Sequence, residues 1–285
     1  MKQSLLITGA TGRLGRHVLV AAQKRGWTVT GVARSGDVDH HCDLTDPIAV
    51  RSLINKVRPT AVAHLAALTD VDACQRDPEF AFKINAEAAH HVADACQQAG
   101  ASLVVTSTDQ VYDGPAPHLE TATLLRNTYA MSKRAGEMLA LTCGAMVFRC
   151  NFVGKGTPER PGFTDWLVRS ARTRAPLTLF TDTFFSPLHA SMLAERILAA
   201  LAGPRPGLYN CGATDGLSKS AFARALAQCL NLDAAAWRDG LQTDVALGAP
   251  RPKDMRMDST HFAITFAIDQ PNMAAVITRC AEDYR

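Results

Sequence analysis

The stretch TGATGRLG at residues 8–15 decides the fold, because its three glycines stand where an apolar run gives way to a helical pattern. The run Leu5–Ile7 before it is short and apolar, as in a buried strand, and apolar residues then recur at helical spacing from Leu14 to Ala22. Glycines allow a sharp turn at this point, and the helix that follows presents the positive end of its dipole. A strand, turn and helix of this kind open an α/β fold.

Short apolar runs and longer amphipathic stretches keep alternating through the first half of the chain. Four further strands are expected, at residues 27–33, 61–64, 103–105 and 146–148. Helices are expected between them, at residues 46–57, 77–100 and 129–141. Strand–helix repeats form right-handed crossovers, so we predict an α/β protein with a Rossmann-like, doubly wound parallel sheet.

After residue 150 the pattern loosens and prolines interrupt it. We expect a Rossmann domain over residues 1–150 and, mainly in residues 151–285, a smaller C-terminal α/β substrate lobe. Helices are predicted there at residues 163–174, 190–202, 218–230 and 270–284. A short strand at residues 208–211 either stays with this lobe or returns to the main sheet.

Composition excludes several classes of protein. Of the 285 residues, 47% are hydrophobic and 20% charged, and the net charge of +3 is too mild for a nucleic-acid partner. No apolar stretch approaches the roughly 18 residues of a membrane span, and the first is too short for a signal peptide. The eight cysteines include no CxxC pair and the histidine pairs lack zinc spacing. We therefore expect a cytoplasmic protein with no metal site.

The loop at residues 8–15 has the setting of a dinucleotide-binding fingerprint, with a strand before it and a helix after it. Glycines there let the backbone approach a pyrophosphate, which the free N–H groups of the helix N-terminus then bind. The candidate cofactor contacts in this loop are Gly9, Thr11, Gly12, Arg13, Leu14 and Gly15.

The ribose of the cofactor is recognised about 20 residues further on, where the second strand ends. That strand ends at Arg34 and Ser35, whereas the acidic residues Asp37 and Asp39 follow later. An arginine here pairs with the 2′-phosphate of NADP, and an acid is typical of NAD sites. We therefore expect NADP(H), with NAD(H) left open. Asp43 and Leu44 are further candidate cofactor contacts.

Tyr129 and Lys133 are four residues apart, so both project from one face of the helix predicted there. An isolated tyrosine keeps its proton near neutral pH, and a neighbouring ammonium group favours the phenolate. Tyr129 can then give a proton to a carbonyl oxygen as hydride reaches its carbon. Thr108 ends the preceding strand, where ligands of such sheets bind, and we expect it to polarise the same oxygen.

These motifs resemble those of the extended short-chain dehydrogenases/reductases, and above all the dTDP-4-dehydrorhamnose reductases. The glycine spacing matches the form TGxxGxxG, residues 107–114 (STDQVYDG) resemble STDYVFDG, and residues 127–137 (NTYAMSKRAGE) resemble NxYGxSKxxGE. Residues 64–72 (HLAALTDVD) resemble the segment that flanks the nicotinamide and the sugar. The resemblance implies NADPH-dependent reduction of a 4-keto group on a nucleotide-activated deoxysugar.

The resemblance also implies site residues outside the glycine loop. Besides Tyr129 and Lys133, it adds Ala66 and Ala67 to the cofactor contacts. The expected substrate contacts are Thr69, Val71, Asp109, Phe152 and Arg251. The expected partner is a nucleotide sugar, and a homodimer is left open.

Gln110 separates related chemistries. Nucleotide-sugar dehydratases have Asp-Glu after the threonine and use the glutamate to remove a proton, which the amide of Gln110 cannot do. Reduction is therefore favoured over dehydration, and less strongly over epimerisation. Two alternatives stay open: a reductase or epimerase of another sugar or small carbonyl compound, and a non-catalytic dinucleotide-binding subunit. The regulatory subunit of methionine adenosyltransferase, which resembles this family, is such a subunit, but the intact Thr108, Tyr129 and Lys133 favour an enzyme.

Overall fold

The computed structural model describes residues 3–285, which form two compact units made of interleaved segments. The first unit contains the described residues up to Thr108 together with Leu125–Arg149 and Ser191–Tyr209. The second contains Asp109–Leu124, Cys150–Ala190 and Asn210–Arg285. The functional division into a cofactor domain over residues 1–150 and a substrate lobe over residues 151–285 stays a prediction.

The strands are β1 (Ser4–Thr8), β2 (Thr28–Ala33), β3 (His40–His41), β4 (Ala61–His64), β5 (Ser102–Thr108), β6 (Met146–Cys150), β7 (Phe152–Val153), β8 (Leu177–Phe180), β9 (Phe184–Phe185), β10 (Leu188–His189), β11 (Gly207–Asn210), β12 (Leu217–Ser218) and β13 (Trp237–Gly240). The α-helices are α1 (Arg13–Lys24), α2 (Pro47–Val57), α3 (Val71–Arg76), α4 (Pro78–Phe82), α5 (Ala88–Ala99), α6 (Thr128–Thr142), α7 (Phe163–Thr173), α8 (Ala190–Ala202), α9 (Lys219–Cys229), α10 (Thr260–Phe266) and α11 (Met273–Glu282). Short 3-10 turns lie at Asp109–Val111 and Gln242–Asp244.

The main sheet has seven strands in the order β11-β6-β5-β4-β1-β2-β3. Strand β1 pairs in parallel with β2 and β4, β2 with β3, and β4 with β5. Apart from β11, this is the strand order of a Rossmann sheet, whose connections reverse direction between β1 and β4. The predicted α/β, Rossmann-like fold is confirmed. Strand β11 lies at the sheet edge beside β6.

Alternating side chains give the sheet two buried faces, since successive residues of a strand point to opposite sides. On one face Leu6, Val62 and Val105 pack in a single cluster with Ile54 of α2 and Val92 of α5. Because both faces of the sheet are buried, the parallel strands at its centre are rich in apolar residues. The sequence shows this pattern in its short apolar runs.

Helix α1 packs on β1 and β2, and an ion pair between Arg25 and Glu195 joins its C-terminal end to α8. Within residues 3–285, no helix is long and apolar enough to cross a membrane.

The predicted helix over residues 77–100 is interrupted. The structure divides it into α4, a π-helical turn at Lys83–Glu87, and α5. A π-helical turn is rare, and such turns are frequently found at functional sites.

The second unit is built around α7, α9 and α11 with three two-stranded sheets. Strand β8 pairs with β13, β7 with β10, and β9 with β12. Its core contains the rings of Phe163, Phe185 and Phe222, with centroids 5.4 Å apart for Phe185 and Phe222 and 5.9 Å for Phe163 and Phe222. These distances are typical of packed aromatic side chains.

Candidate active site

The glycine loop is packed so closely that a β-carbon on Gly9 or Gly15 would collide with backbone atoms. Gly9 has a φ of +71°, and a β-carbon on it would lie 2.9 Å from the amide nitrogen of Ala66. A β-carbon on Gly15 would lie 2.3 Å from the carbonyl oxygen of Gly9. The Gly12 N–H also donates to the Gly9 oxygen, at 2.9 Å. This close packing places the N-terminus of α1 next to the C-terminal end of β1.

The N-terminus of α1 suits an anionic ligand. Gly12 is the N-cap and provides no side-chain acceptor, and the first turn of α1 contains no acidic residue. Neither the N-cap nor an acidic residue of the first turn therefore offsets the positive end of the α1 dipole. This is the arrangement that binds a pyrophosphate in dinucleotide sites.

The ends of β1 and β4 are joined beside this loop. The Thr8 hydroxyl accepts hydrogen bonds from the N–H groups of Leu65 and Ala66, at 3.2 and 3.4 Å, and is hydrogen-bonded to His64 Nδ1 at 2.9 Å. Burial, and then the charge of Lys133, lower the pKa of His64 to about 3, so its ring is neutral at physiological pH. Gly9 and Ala66, two predicted cofactor contacts, are thus adjacent.

The loop after β2 approaches the glycine loop through Gly36, where a β-carbon would lie 3.2 Å from Cγ2 of Thr11. Arg34 in this loop is exposed. The Asp39 carboxylate is occupied, since it accepts a hydrogen bond from the Gly31 N–H at 2.6 Å. One of the two acidic candidates is therefore engaged with the backbone, whereas Arg34 is exposed directly after β2.

Asp43 is exposed, and its carboxylate accepts hydrogen bonds from the N–H and hydroxyl of Thr45 at 2.9 and 2.8 Å. These bonds, and then the charges of Lys83 and Arg34, lower the pKa of Asp43. Asp43 and Arg34, both predicted cofactor contacts, therefore interact electrostatically. The neighbouring Leu44 is half-buried, and its carbonyl oxygen is hydrogen-bonded to His91 Nδ1 at 3.1 Å.

The predicted reaction centre lies in the first unit. Thr108, Tyr129 and Lys133 are all buried, with 4%, 7% and 5% of their surfaces exposed. The Lys133 ammonium group donates a hydrogen bond to the carbonyl oxygen of Thr106, at 2.7 Å. Helix α6 begins just before Tyr129, because the Asn127 side chain caps it by accepting from the Ala130 N–H at 2.8 Å. The lysine therefore ties α6 to the end of the strand that carries Thr108.

Asn85, in the π-helical turn, is hydrogen-bonded both to α6 and to the chain at Leu68. Its amide donates to Ser132 Oγ at 3.0 Å, and Ser132 in turn donates to the carbonyl oxygen of Tyr129 at 3.0 Å. The same side chain accepts from the Leu68 N–H at 2.9 Å and donates to the Leu68 carbonyl at 3.0 Å. One asparagine thus fixes both α6 and the segment that includes Ala66, Ala67 and Thr69.

A buried ion pair lies one turn further along α6. Glu137 and Arg149 are both fully buried, and the guanidinium group donates to the carboxylate at 2.8 and 3.0 Å. Ser107 donates to the same carboxylate at 2.6 Å, and Arg134 at 3.0 Å. Because Ser107 precedes Thr108, this network joins the end of β5 to α6 and β6.

The remaining predicted substrate contacts are divided between the two units. Thr69 is exposed and Val71 buried in the first. In the second, the Asp109 carboxylate is buried and accepts from the Asn151 amide at 2.7 Å, which brings it close to the chain before Phe152. Arg251 is half-buried and donates to the Ala249 carbonyl at 2.9 Å. The roles assigned to all of these residues stay predictions.

Among residues 3–285, no group of three or more His, Cys, Asp and Glu side chains is placed to hold a metal ion.

The Rossmann-like sheet, the glycine loop and the tyrosine–lysine pair on α6 are features of the extended short-chain dehydrogenase/reductase class. A family model described as the RmlD substrate binding domain matches residues 1–285. The chain therefore belongs to this family, and the resemblance inferred from the sequence is confirmed.

Similarity extends over nearly the whole chain. The dTDP-4-dehydrorhamnose reductase of Streptomyces griseus is 33% identical over 269 residues, or 90% of this chain and 86% of the relative. That of Escherichia coli K12 is 30% identical over 294 residues, or 97% and 96%. The crystal structure of dTDP-4-dehydrorhamnose reductase from Bacillus anthracis, in complex with NADP, has a TM-score of 0.89 and 25% identity, covering 98% of this chain and 99% of that one.

Proposed function

We propose that this protein is an NADPH-dependent reductase of the 4-keto group of a nucleotide-activated deoxysugar. The observation that carries the proposal is the position of Lys133. Its side chain is buried one turn after Tyr129, and its ammonium group donates a hydrogen bond near the end of β5, the strand that carries Thr108. The whole-length similarity to dTDP-4-dehydrorhamnose reductases supports the substrate class.

The residues present fit NADP(H). The glycine loop offers a backbone cradle that a β-carbon would fill, at the uncapped start of α1. Gly9, Gly12 and Gly15 would hold the pyrophosphate, and Arg34 with Ser35 the 2′-phosphate. The engagement of Asp39 with the backbone supports NADP over NAD. When bound, NADPH supplies the hydride.

The chain's own groups handle the proton and the substrate oxygen. Thr108 donates a hydrogen bond to the carbonyl oxygen and polarises it. Tyr129 transfers its phenolic proton to that oxygen as negative charge develops there. Lys133 stabilises the phenolate that remains, and its bond to Thr106 holds the ammonium group in position.

The proposed reaction is reduction and not elimination. The residue after Asp109 is Gln110, whose amide has no basic site to remove a proton next to the carbonyl. Asp109, Phe152 and Arg251 of the second unit, with Thr69 and Val71 of the first, are the proposed substrate contacts.

We further propose a cytoplasmic location. Six of the eight cysteine side chains are buried, as in proteins of a reducing compartment. A homodimer and the exclusion of nucleic acid stay predictions.

The proposed function is tested by mixing the purified protein with NADPH and dTDP-4-keto-6-deoxyhexose. The absorbance of NADPH is monitored to measure its oxidation. We expect consumption of NADPH that depends on the ketosugar and is slower with NADH. The matched control is the same protein with a nucleotide sugar that has a 4-hydroxyl group in place of the ketone.

Two results would contradict the proposal in different ways. Constant NADPH absorbance with every ketosugar tried would count against a reductase and favour the non-catalytic dinucleotide-binding alternative if NADPH still binds. Turnover of simple carbonyl compounds alone would keep the reductase chemistry and reject the nucleotide-sugar substrate.

A further inference from the structure

The carboxylate of Asp113 holds the backbone of a segment that lies far away in the sequence. Asp113 is half-buried in the second unit, and its Oδ1 atom accepts hydrogen bonds from the N–H groups of Lys253 at 2.9 Å and Asp254 at 3.3 Å. The same oxygen accepts from the Gly114 N–H at 3.0 Å. One carboxylate oxygen therefore joins the chain after the turn at Asp109–Val111 to the chain after residue 252.

The segment held in this way follows directly on Arg251, a predicted substrate contact. Arg251 stands between Pro250 and Pro252. A proline ring fixes its own φ and restricts the residue before it, so the chain at Arg251 has little freedom of its own. The placement of Arg251 therefore depends on how the neighbouring chain is anchored. On the proline itself, the Pro252 carbonyl oxygen accepts from Gln242 Nε2 at 3.3 Å, which is a long hydrogen bond.

The other backbone contacts of the segment use different groups. The Phe184 N–H donates to the Lys253 carbonyl oxygen at 2.7 Å, and the Met255 N–H donates to the Phe184 carbonyl oxygen at 3.0 Å. The N–H groups of Lys253 and Asp254 are the ones that bond to Asp113. Removing the carboxylate takes this acceptor from two adjacent N–H groups, and the chain beside Arg251 must then shift to satisfy them.

We propose that Asp113 is a positioning residue that fixes Arg251 for contact with the substrate. The inference rests on the proposed function, because it takes Arg251 as a substrate contact. Asp113 acts through the backbone that follows Arg251 and does not itself touch the substrate. Since Asp109 lies four residues before Asp113, one short segment supplies one predicted substrate contact and positions another.

The test is calorimetric titration of the full-length protein with dTDP-4-keto-6-deoxyhexose in the absence of NADPH. We expect Asp113→Ala to bind the ketosugar about 10-fold more weakly than the wild type, as for a weakened hydrogen bond to a charged group. Asp113→Asn should stay within about 3-fold of the wild type, because its amide oxygen replaces the single oxygen that accepts all three bonds.

The kinetic constants separate positioning from chemistry. In the NADPH oxidation assay, Asp113→Ala should raise KM for the ketosugar and leave kcat nearly unchanged, because the change affects substrate binding and not proton transfer. The affinity for NADPH should also be unchanged, since the glycine loop lies in the first unit.

Asp215→Ala is the matched control. Asp215 is also an aspartate of the second unit that holds distant backbone, since its Oδ1 atom accepts from the Met273 N–H at 2.6 Å. That bond lies at the start of α11, where no substrate contact is predicted. Asp215→Ala should therefore lower the stability of the protein and leave the affinity for the ketosugar unchanged.

A double variant tests whether Asp113 acts through Arg251. In the background of Arg251→Ala, Asp113→Ala should weaken ketosugar binding by no more than about 2-fold, because the side chain that it positions is absent. A full 10-fold loss in that background would overturn the proposal, because Asp113 would then act by another route.

Unchanged ketosugar affinity in Asp113→Ala would also overturn the proposal, and so would an Asp113→Asn variant as weak as Asp113→Ala. If Asp113→Ala fails to fold, Asp113→Ser replaces it under the same criteria. A wild type that binds no ketosugar would overturn the proposal together with the substrate class. Because the titrations require no turnover, a wild type that binds the ketosugar but never oxidises NADPH would reject only the proposed reaction, and weaker binding by Asp113→Ala would still support the role of Asp113.

Discussion

Gly136 of α6 lies so close to the backbone of Asn85 that a β-carbon at residue 136 would be 2.2 Å from the Asn85 carbonyl oxygen. This contact lets α6 approach the π-helical turn, and the Asn85 side chain then reaches Ser132 at 3.0 Å. The helix that carries Tyr129 and Lys133 is thereby fixed against the π-helical turn, which also holds the segment near Leu68.

Gly136→Ala should therefore destabilise the protein by about 1 to 3 kcal/mol, because the added methyl group meets backbone that cannot rotate away. Urea unfolding measures the change. Gly203→Ala is the control, since a β-carbon on Gly203 has no atom within 4 Å among the described residues, and it should stay within about 0.5 kcal/mol of wild type. Equal stabilities for the two variants would show that the packing of α6 against the π-helical turn does not require a glycine at residue 136.

The buried pair Glu137–Arg149 gives a second prediction. Arg149→Met leaves a buried carboxylate with fewer donors and should cost about 3 to 5 kcal/mol of unfolding free energy. The double variant Glu137→Leu/Arg149→Met should cost less than this single change, because no buried carboxylate remains and Arg134, whose side chain is 29% exposed, keeps its charge in contact with solvent. Denaturant unfolding of the single and double variants measures the coupling.

The control for the buried pair is the exposed pair Arg224–Asp239, whose side chains are 43% and 53% exposed. Arg224→Ala should cost at most about 1 kcal/mol. The double variant at residues 137 and 149 could also prove less stable than Arg149→Met alone. That result would show that the stability lost in Arg149→Met does not come from the buried Glu137 carboxylate.

Local sequence features predicted what depends on local spacing. The glycine loop gives β1 and α1 their connection, and the four-residue spacing of Tyr129 and Lys133 places them on one face of α6. The helix at residues 190–202 also follows from its apolar periodicity, and the structure has it at Ala190–Ala202.

Features that depend on tertiary packing were not predictable in this way. The π-helical turn interrupts the predicted helix at Asn85, whose amide donates to Ser132 on another helix, and no pattern within residues 77–100 encodes that partner. Strands of two residues, such as β9 and β12, are too short to show a period.

Arg34 provides the third prediction, on cofactor choice. Arg34→Ala should weaken NADPH binding by about 10- to 100-fold, the range for a lost charge-assisted pair, and leave NADH affinity nearly unchanged. Fluorescence titration with both cofactors measures this. Arg51→Ala, at an exposed arginine of α2, is the control and should bind both as the wild type does. An equal loss for NADPH and NADH would instead indicate general damage to the site.

The fourth prediction concerns acid stability. Burial alone would raise the pKa of Asp283, but hydrogen bonds from His189 and the Lys155 N–H, and then the charge of Arg279, lower it to about 2. Because the folded-state pKa is lower than the unfolded one, this carboxylate stabilises the protein fully above about pH 4 and loses that contribution as the pH falls toward 2.

Asp283→Asn should therefore lower the unfolding free energy at neutral pH and make it fall less steeply between about pH 5 and pH 2 than in the wild type. Urea unfolding at a series of pH values measures the two slopes. Parallel curves for the variant and the wild type would contradict the assignment of acid sensitivity to this residue.

The most direct measurement compares wild type and Tyr129→Phe in the NADPH oxidation assay with dTDP-4-keto-6-deoxyhexose, together with a titration of NADPH binding. Phenylalanine keeps the buried ring and removes only the hydroxyl that would give the proton. We predict that the rate falls by at least about 100-fold, in line with loss of a general acid, while NADPH affinity stays the same. A variant that turns over at the wild-type rate would contradict the assignment of Tyr129 as the proton donor.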